Sequence, residues 1–203
     1  MAYTDFTTDA VQQRLGVSLQ LAELFPGVRS IPPPGWLTDQ LAKTRQLALL
    51  SEKSRSEFIV APVLLAVRDL TGDQLVILSG QRLDVDAAKG LTGECDFILA
   101  TGLALPFLQA PLLTLIEAKR HDIESALGQC VAQMVGAQMF NERAGLADRA
   151  VFGCVTTGEA WQFLRLMDSI VSVHPDRLYL DNLGGILGAI LFAVTRAQAV
   201  PTA

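Results

Sequence analysis

The sequence predicts a mixed α/β sandwich, and three observations carry that reading. Short apolar runs bounded by turn residues occupy the middle of the chain. Segments of helical period stand on either side of them. Their order is strands, then a helix, then strands, with helices at both ends. At 203 residues the chain suits one domain and can bury a substantial core. Hydrophobic residues make up 50% and charged residues 18%, which marks a globular chain and excludes a disordered one.

Residues 1–35 read as an N-terminal extension ending in a linker. Val11, Leu15, Leu19 and Leu21 have irregular helical spacing there. Ile31-Pro32-Pro33-Pro34-Gly35 is rigid and extended, because consecutive prolines lock φ and remove donors. Thr38 then has the character of a helix N-cap, followed by Leu41, Leu47 and Leu50 at helical intervals.

The core is predicted over residues 50–166. Phe58, Ile59, Val63, Leu64, Val67 and Leu70 carry a helical period, with Glu57 inside the helix and Pro62 interrupting it or starting its second part. Thr71-Gly72-Asp73 turns the chain into an apolar strand from Gln74 to Ser79, and Gln81 to Asp86 alternates as a second strand or an extension. Asp84 and Asp86, opposite Leu83 and Val85, read as the solvated face of an edge strand. After the turn at Lys89–Gly93 comes a strand from Cys95 to Ala100, with Asp96 at its beginning.

The next strand ends in Leu112-Leu113-Thr114-Leu115-Ile116-Glu117-Ala118-Lys119 and is the most informative stretch of the chain. Alternation puts Leu113, Leu115, Glu117 and Lys119 on one face, with Ile116 and Ala118 on the other. Two opposite charges thus sit side by side at the end of a strand that otherwise belongs in a core. Burying charge is costly unless it is paired or bound to a metal, so the placement needs a reason.

Ile123 to Asn141 then forms a long helix with Leu127, Val131, Met134 and Val135 on one side. Gln129 and Gln133, four apart, share a face that also carries Ala126 and Ala137. Ala150–Thr156 and Trp161–Met167 read as a β-hairpin around Thr157-Gly158-Glu159. Residues 167–203 form a C-terminal helical region, with an apolar helix near 182–196. Its apolar stretch of about twelve residues is shorter than the roughly twenty a bilayer requires, so no membrane span is expected.

Several function classes drop out. There is no Gly-x-Ser-x-Gly, and no Lys-Ser/Thr follows the glycines at 184–188, which argues against a serine hydrolase and a phosphate loop. His121 and His174 are the only histidines, so catalysis built on several imidazoles is unavailable. Cys95, Cys130 and Cys154 are widely spaced and suggest reduced, buried thiols in a cytoplasmic protein. The N-terminus lacks the pattern of a signal peptide. A net charge of −5 argues against broad attraction to phosphates, although a metal site needs carboxylates.

The remaining chemistry converges on one constellation. Asp96 and Glu117 on neighbouring strands supply oxygen ligands of the kind Mg²⁺ prefers, and the Ala118 carbonyl between Glu117 and Lys119 offers another. Lys119 is placed to position an attacking water or to stabilise charge on phosphate oxygens. Glu57 supplies an acid from the preceding helix.

Asp96, then Glu117-Ala118-Lys119 on the next strand, then a helix bearing glutamine resembles the PD-(D/E)XK nuclease superfamily. The likeness is to the nuclease domains of type I restriction enzymes and related bacterial proteins. It covers about residues 50–166. The resemblance implies a restriction-endonuclease-like αβββαβ core with extra N- and C-terminal helices. It implies a site in which Glu57, Asp96, Glu117 and Lys119 surround Mg²⁺, with Mn²⁺ able to substitute. Gln129 or Gln133 would orient substrate or metal-bound water. The residue before Asp96 is Cys95 where the superfamily commonly has proline.

The function expected is metal-dependent hydrolysis of nucleic-acid phosphodiesters, DNA before RNA. The alternative is a nuclease-fold protein that acts as a protein-interaction or dimeric assembly module without cutting. The intact acidic residues favour the first and the low pI of about 5.0 favours the second. A homodimer through the C-terminal helix is a further expectation. Ile186, Leu187, Ile190, Leu191 and Val194 cover more than one face, and Gly184, Gly185 and Gly188 permit close approach of another backbone.

Overall fold

The computed structural model describes residues 1–103, 105, 107–119 and 122–198. His121 and the side chain of Leu115 lie outside the described residues. The protein is mixed α/β: one mixed sheet runs through the molecule, with helices on both faces.

The N-terminal region is more structured than its hydrophobic spacing predicts. A short 3-10 turn, Tyr3–Asp5, precedes helix α1 (Thr8–Leu15) and strand β1 (Ser18–Leu21). Thr7 caps α1 by accepting from the Ala10 N–H, and Gly16 ends it in the left-handed region. β1 pairs in parallel with β7 (Ile170–Val173), a partner 152 residues away at Gln20 and Ser172, whose side chains are hydrogen-bonded. Local periodicity has no access to such a pairing.

Helix α2 spans Gly35–Thr44, so Thr38 is not its N-cap. Pro34 occupies that position, and the Thr38 hydroxyl donates to the Gly35 carbonyl inside the helix. The helix also stops before Leu47 and Leu50, which are exposed.

The next helical stretch is continuous but changes register. It comprises α3 (Glu52–Arg55), a π-helical segment (Ser56–Val60) and α4 (Ala61–Leu70). Pro62 explains the irregularity. It has no N–H to offer the carbonyl of Phe58 four residues back, and the Thr44 hydroxyl of α2 donates to that carbonyl at 3.2 Å.

The sheet then forms. β2 (Leu75–Arg82), β3 (Glu94–Thr101) and β4 (Leu112–Ala118) are an antiparallel meander. Helix α5 (Ile123–Arg143) crosses over to β5 (Val151–Thr156), which lies parallel to β4. β6 (Ala160–Met167) closes the expected hairpin, and β7 and the short β8 (Leu178–Tyr179) both pair with it, so the region after residue 167 is not wholly helical as expected but adds two strands before its helix. The sheet order is β1-β7-β6-β5-β4-β3-β2. The extension after β2 is not a second strand. Leu83 and Val85 are buried there, while Asp84 is held by Arg82 and by the Gly93 N–H.

The sheet separates two apolar cores. One joins it to α5, α1 and the N-terminal turn through Ile98, Cys130, Val131, Met134 and Val155. The other joins it to α2, α4 and helix α6 (Leu183–Gln198) through Leu37, Val63, Phe97, Phe152 and Ile190. Cys95, Cys130 and Cys154 are free thiols buried in these cores.

α6 is the one helical region among the described residues long and apolar enough to cross a membrane, and it is packed as a core element. Its glycines meet the same chain. A Cβ at Gly184 would strike Ser30 and Ile31, and one at Gly188 would strike the Arg29 carbonyl. The close approach they permit is therefore taken up by residues 28–31.

A tight backbone approach joins α5 to the N-terminal region. A Cβ at Gly128 would collide with the backbone of Phe6 and Thr7, which cannot swing aside as a side-chain end can. Alanine is favoured over glycine by about 1 kcal/mol in an exposed helix. Here the overpacking, typically about 1–3 kcal/mol, dominates. Gly128→Ala is therefore expected to lower the thermal midpoint, and a denaturant titration should show a lower midpoint at unchanged slope. A stabilised variant would mean that the N-terminal turn does not dock on α5.

Candidate active site

Strand β4 carries an irregularity that decides which way its side chains face. Leu99 pairs with Thr114 but Ala100 pairs with Leu112, so Leu113 is an extra residue on β4. Leu112 consequently packs in the α5 core while Leu113 and Ile116 pack together in the opposite core. The simple alternation that placed Leu113 beside Glu117 fails at this bulge. Glu117 itself points into the α5 layer.

There it is almost fully buried, at 3% exposure, and it is fully engaged. Gln129 Nε2 donates to Oε1 at 2.6 Å, and Gln133 Nε2 donates to Oε2 at 2.8 Å. Lys119 Nζ lies 2.8 Å from Oε1. The helical spacing of the two glutamines thus delivers both amides to one carboxylate. Asn141, further along α5, fixes the other end of β4 by exchanging two 2.8 Å hydrogen bonds with the Leu112 backbone.

Asp96 is the third residue of β3, not its first, and it acts where the β3–β4 ladder ends. The last backbone pair is Phe97 with Ile116. Beyond it the Asp96 carboxylate accepts the Ala118 N–H through Oδ2 at 2.7 Å, so a side chain takes over from the backbone as acceptor. The Lys119 N–H is held on the other side by the Thr156 carbonyl of β5 at 2.7 Å. Glu117, Ala118 and Lys119 are thereby fixed by β3, β5 and α5 together.

Asp96 also lines a groove of about 720 Å³ between the α3–π segment and the edge of β2–β3. Glu52, Glu57, Glu94 and Lys53 line it too, together with the apolar Ile77 and Phe97. Glu57 is thus on the groove as its helical position implies, but it is exposed and lies 3.8 Å from Lys53. The helical acid whose charge acts on both Asp96 and Lys119 is Glu52. The hydrophobic period did not single it out. Its signal was the Ser51–Ser54 capping pattern, which starts the helix at Glu52 and sets which residues face the groove.

The electrostatics are those of crowded carboxylates. Burial, followed by the negative charge of Asp96, raises the Glu117 pKa to about 7, against the pull of Lys119 and Gln133. Burial also raises Asp96, opposed by the Ala118 N–H and Lys119 and reinforced by Glu52 and Glu94. Burial works to lower Lys119, but the attraction of Glu117 outweighs it and the ammonium is held above its usual range.

Among the described residues no group of three or more Asp, Glu, His or Cys is gathered closely enough to form a metal cage. The residues present do fit a weakly held divalent cation. Two carboxylates whose ionisation is opposed by burial gain from a positive charge, and Mg²⁺ commonly takes one or two carboxylates while keeping several waters. The chain matches no family model and no curated protein.

The raised Glu117 pKa has a signed consequence for stability. The folded state retains a proton that the unfolded chain loses near 4.5, so the folded state is favoured by this group below that pH. That contribution is lost as pH rises from about 4.5 to about 7, and Asp96 acts in the same direction. Thermal midpoints measured in chelator should therefore fall across this window relative to Glu117→Gln, whose profile should be flatter. Parallel profiles would show that Glu117 is ionised throughout.

Proposed function

We propose that this protein is a Mg²⁺-dependent nuclease hydrolysing nucleic-acid phosphodiesters, DNA before RNA, on a restriction-endonuclease-like core. The observation that carries the reading is the meeting of Asp96, Glu117 and Lys119 where β3 and β4 separate, with Gln129 and Gln133 of α5 behind them. The succession α4-β2-β3-β4-α5-β5 supports the αβββαβ arrangement that the sequence resemblance implies. The reading places the protein in the cytoplasm.

Asp96, Glu117 and the Ala118 carbonyl would hold the cation, with Glu57 and Glu52 as the acids the preceding helix offers on the groove. When bound, Mg²⁺ polarises the scissile phosphate and lowers the pKa of a water. The protein supplies the orientation. Gln129 and Gln133 fix both oxygens of Glu117, and the Ala118 N–H fixes Asp96, so little reorganisation remains for the carboxylates. Lys119 keeps its proton and carries the positive charge that faces the phosphate oxygens. Its Nζ must exchange part of its contact with Glu117 for the substrate.

A second reading has two observations in its favour. Both Glu117 oxygens are already engaged by the protein, and the groove is acidic, as a non-cutting interaction module of the same fold would allow.

Cleavage of linear and supercoiled DNA and of RNA, with and without Mg²⁺ or Mn²⁺, separates the two. Metal-dependent products are expected, reduced about 100-fold or more in Asp96→Asn, Glu117→Gln and Lys119→Ala. Calorimetry should show Mn²⁺ binding that weakens in the two carboxylate variants. Folded wild-type protein that neither binds Mn²⁺ nor cleaves would remove the enzyme reading.

A further inference from the structure

A second pocket, of about 530 Å³, lies beside the candidate site on the opposite flank of α3. Arg55 is the hinge between the two. Its Nη1 donates to the Thr157 carbonyl at 3.0 Å, while the adjacent Thr156 carbonyl holds the Lys119 N–H. Arg55 and Lys119 are therefore anchored to consecutive residues at the end of β5.

The pocket wall divides by chemistry. Arg45 and Arg55 supply positive charge, Leu47, Leu49 and Tyr179 supply apolar and aromatic surface, and Asp181 supplies an acceptor. On the pocket side Arg55 Nη1 is only loosely paired, 3.6 Å from Glu159 Oε1, and Arg45 is exposed. Guanidinium groups hold phosphate oxygens through parallel N–H···O bonds, so two of them on one wall complement an anionic oxygen. Tyr179 and Leu47, 53% and 48% exposed at the rim, offer a flat apolar group a surface to stack on.

A purely anionic ligand would be opposed by Asp181 and Glu159. A simple hydrocarbon would leave both arginines unused. A zwitterionic amino acid would satisfy the charges but fill little of the space, since pockets of about 300–1,000 Å³ suit larger molecules. One ligand class meets every wall: an anionic phosphate for the arginines, a flat ring for Tyr179 and the leucines, and amino or ring N–H donors of the base for the carboxylates.

We propose that this pocket binds one nucleoside monophosphate unit, its phosphate on Arg45 and Arg55 and its base against Leu47, Leu49 and Tyr179. The proposal rests on the nuclease reading and deepens it by giving the protein a site for a single nucleotide next to the metal-dependent one.

The test titrates AMP and GMP into the full chain in EDTA, followed by saturation-transfer NMR and equilibrium dialysis. Adenosine and leucine serve as the probes without phosphate and without a base. Saturable binding is expected with a Kd of about 1 mM or tighter, weaker for adenosine. Arg45→Ala and Tyr179→Ala, both at exposed positions, should each weaken it about fivefold or more. A 5′-phosphorylated dinucleotide binding more tightly than AMP would assign the unit to a strand end. Equal or weaker binding would assign it to a free nucleotide, and either outcome supports the pocket. Absence of nucleotide binding, binding undiminished in both variants, or leucine binding in place of nucleotides would overturn it. Asp96→Asn should abolish cleavage and leave AMP binding unchanged. Wild-type protein that binds AMP but cleaves nothing would discard the reaction and keep the pocket, so the two readings fail separately.

Discussion

The buried carboxylate of Glu117 is the constraint around which the central layers are arranged. An ionisable group at 3% exposure is tolerated only if donors surround it, and three different side chains do so. Two of them come from α5, so the helix cannot slide or rotate without stranding the charge. Asn141 adds a second fixed point at Leu112. The spans agree: from Gln129 or Gln133 to Asn141 the helix rises about 12–18 Å. The strand from Leu112 to Glu117 extends about 17 Å. The crossover helix is thus clamped antiparallel to β4 by polar contacts at both ends and by apolar packing between them.

Two local irregularities aim the remaining groups. The bulge at Leu113 turns Glu117 toward α5 while keeping Leu113 and Ile116 in the other core. The π-helical segment before Pro62 widens the turn that carries Ser56 and Glu57, and Thr44 takes the carbonyl that the proline leaves without its donor. The groove itself lies between the α3–π segment and the edge of β2–β3, and Asp96, which replaces a backbone acceptor for the end of β4, lines it. The site is electrically tense in consequence. Burial and the Asp96 charge resist the ionisation of Glu117, burial resists that of Asp96, and Lys119 offsets only part of this. A divalent cation would relieve the remainder.

Much of the frame was legible because it depends on local signals. The apolar run ending at Glu117, the long helix after Asp122, the hairpin around Gly158 and the apolar C-terminal helix all follow from periodicity and turn residues. The spacing of Gln129 and Gln133 placed both on one face, and the structure uses that face as the spacing implies. Legibility stopped where a partner distant in sequence decides the outcome. β1 exists as a strand because β7 accepts it. α2 is capped at Pro34 and not at Thr38, since the locked proline supplies the extended entry. Gly184 and Gly188 are small because residues 28–31 cross them, and no spacing within the helix reveals what lies above it.

The sequence by itself determined the order of the central elements, from α4 to β6, and the residue types available for chemistry: two carboxylates and a lysine on successive strands, and glutamines on the following helix. These follow from alternation and helical pitch, which are properties of the backbone. Only the tertiary structure decided which way each group points and how strongly it holds its proton. A one-residue bulge moved Leu113 across the sheet relative to Glu117, the start of α3 made Glu52 the acid acting on Asp96 and Lys119, and burial raised Glu117. Facing and burial depend on register and on what packs above a residue, and those are set by contacts between segments far apart in the chain.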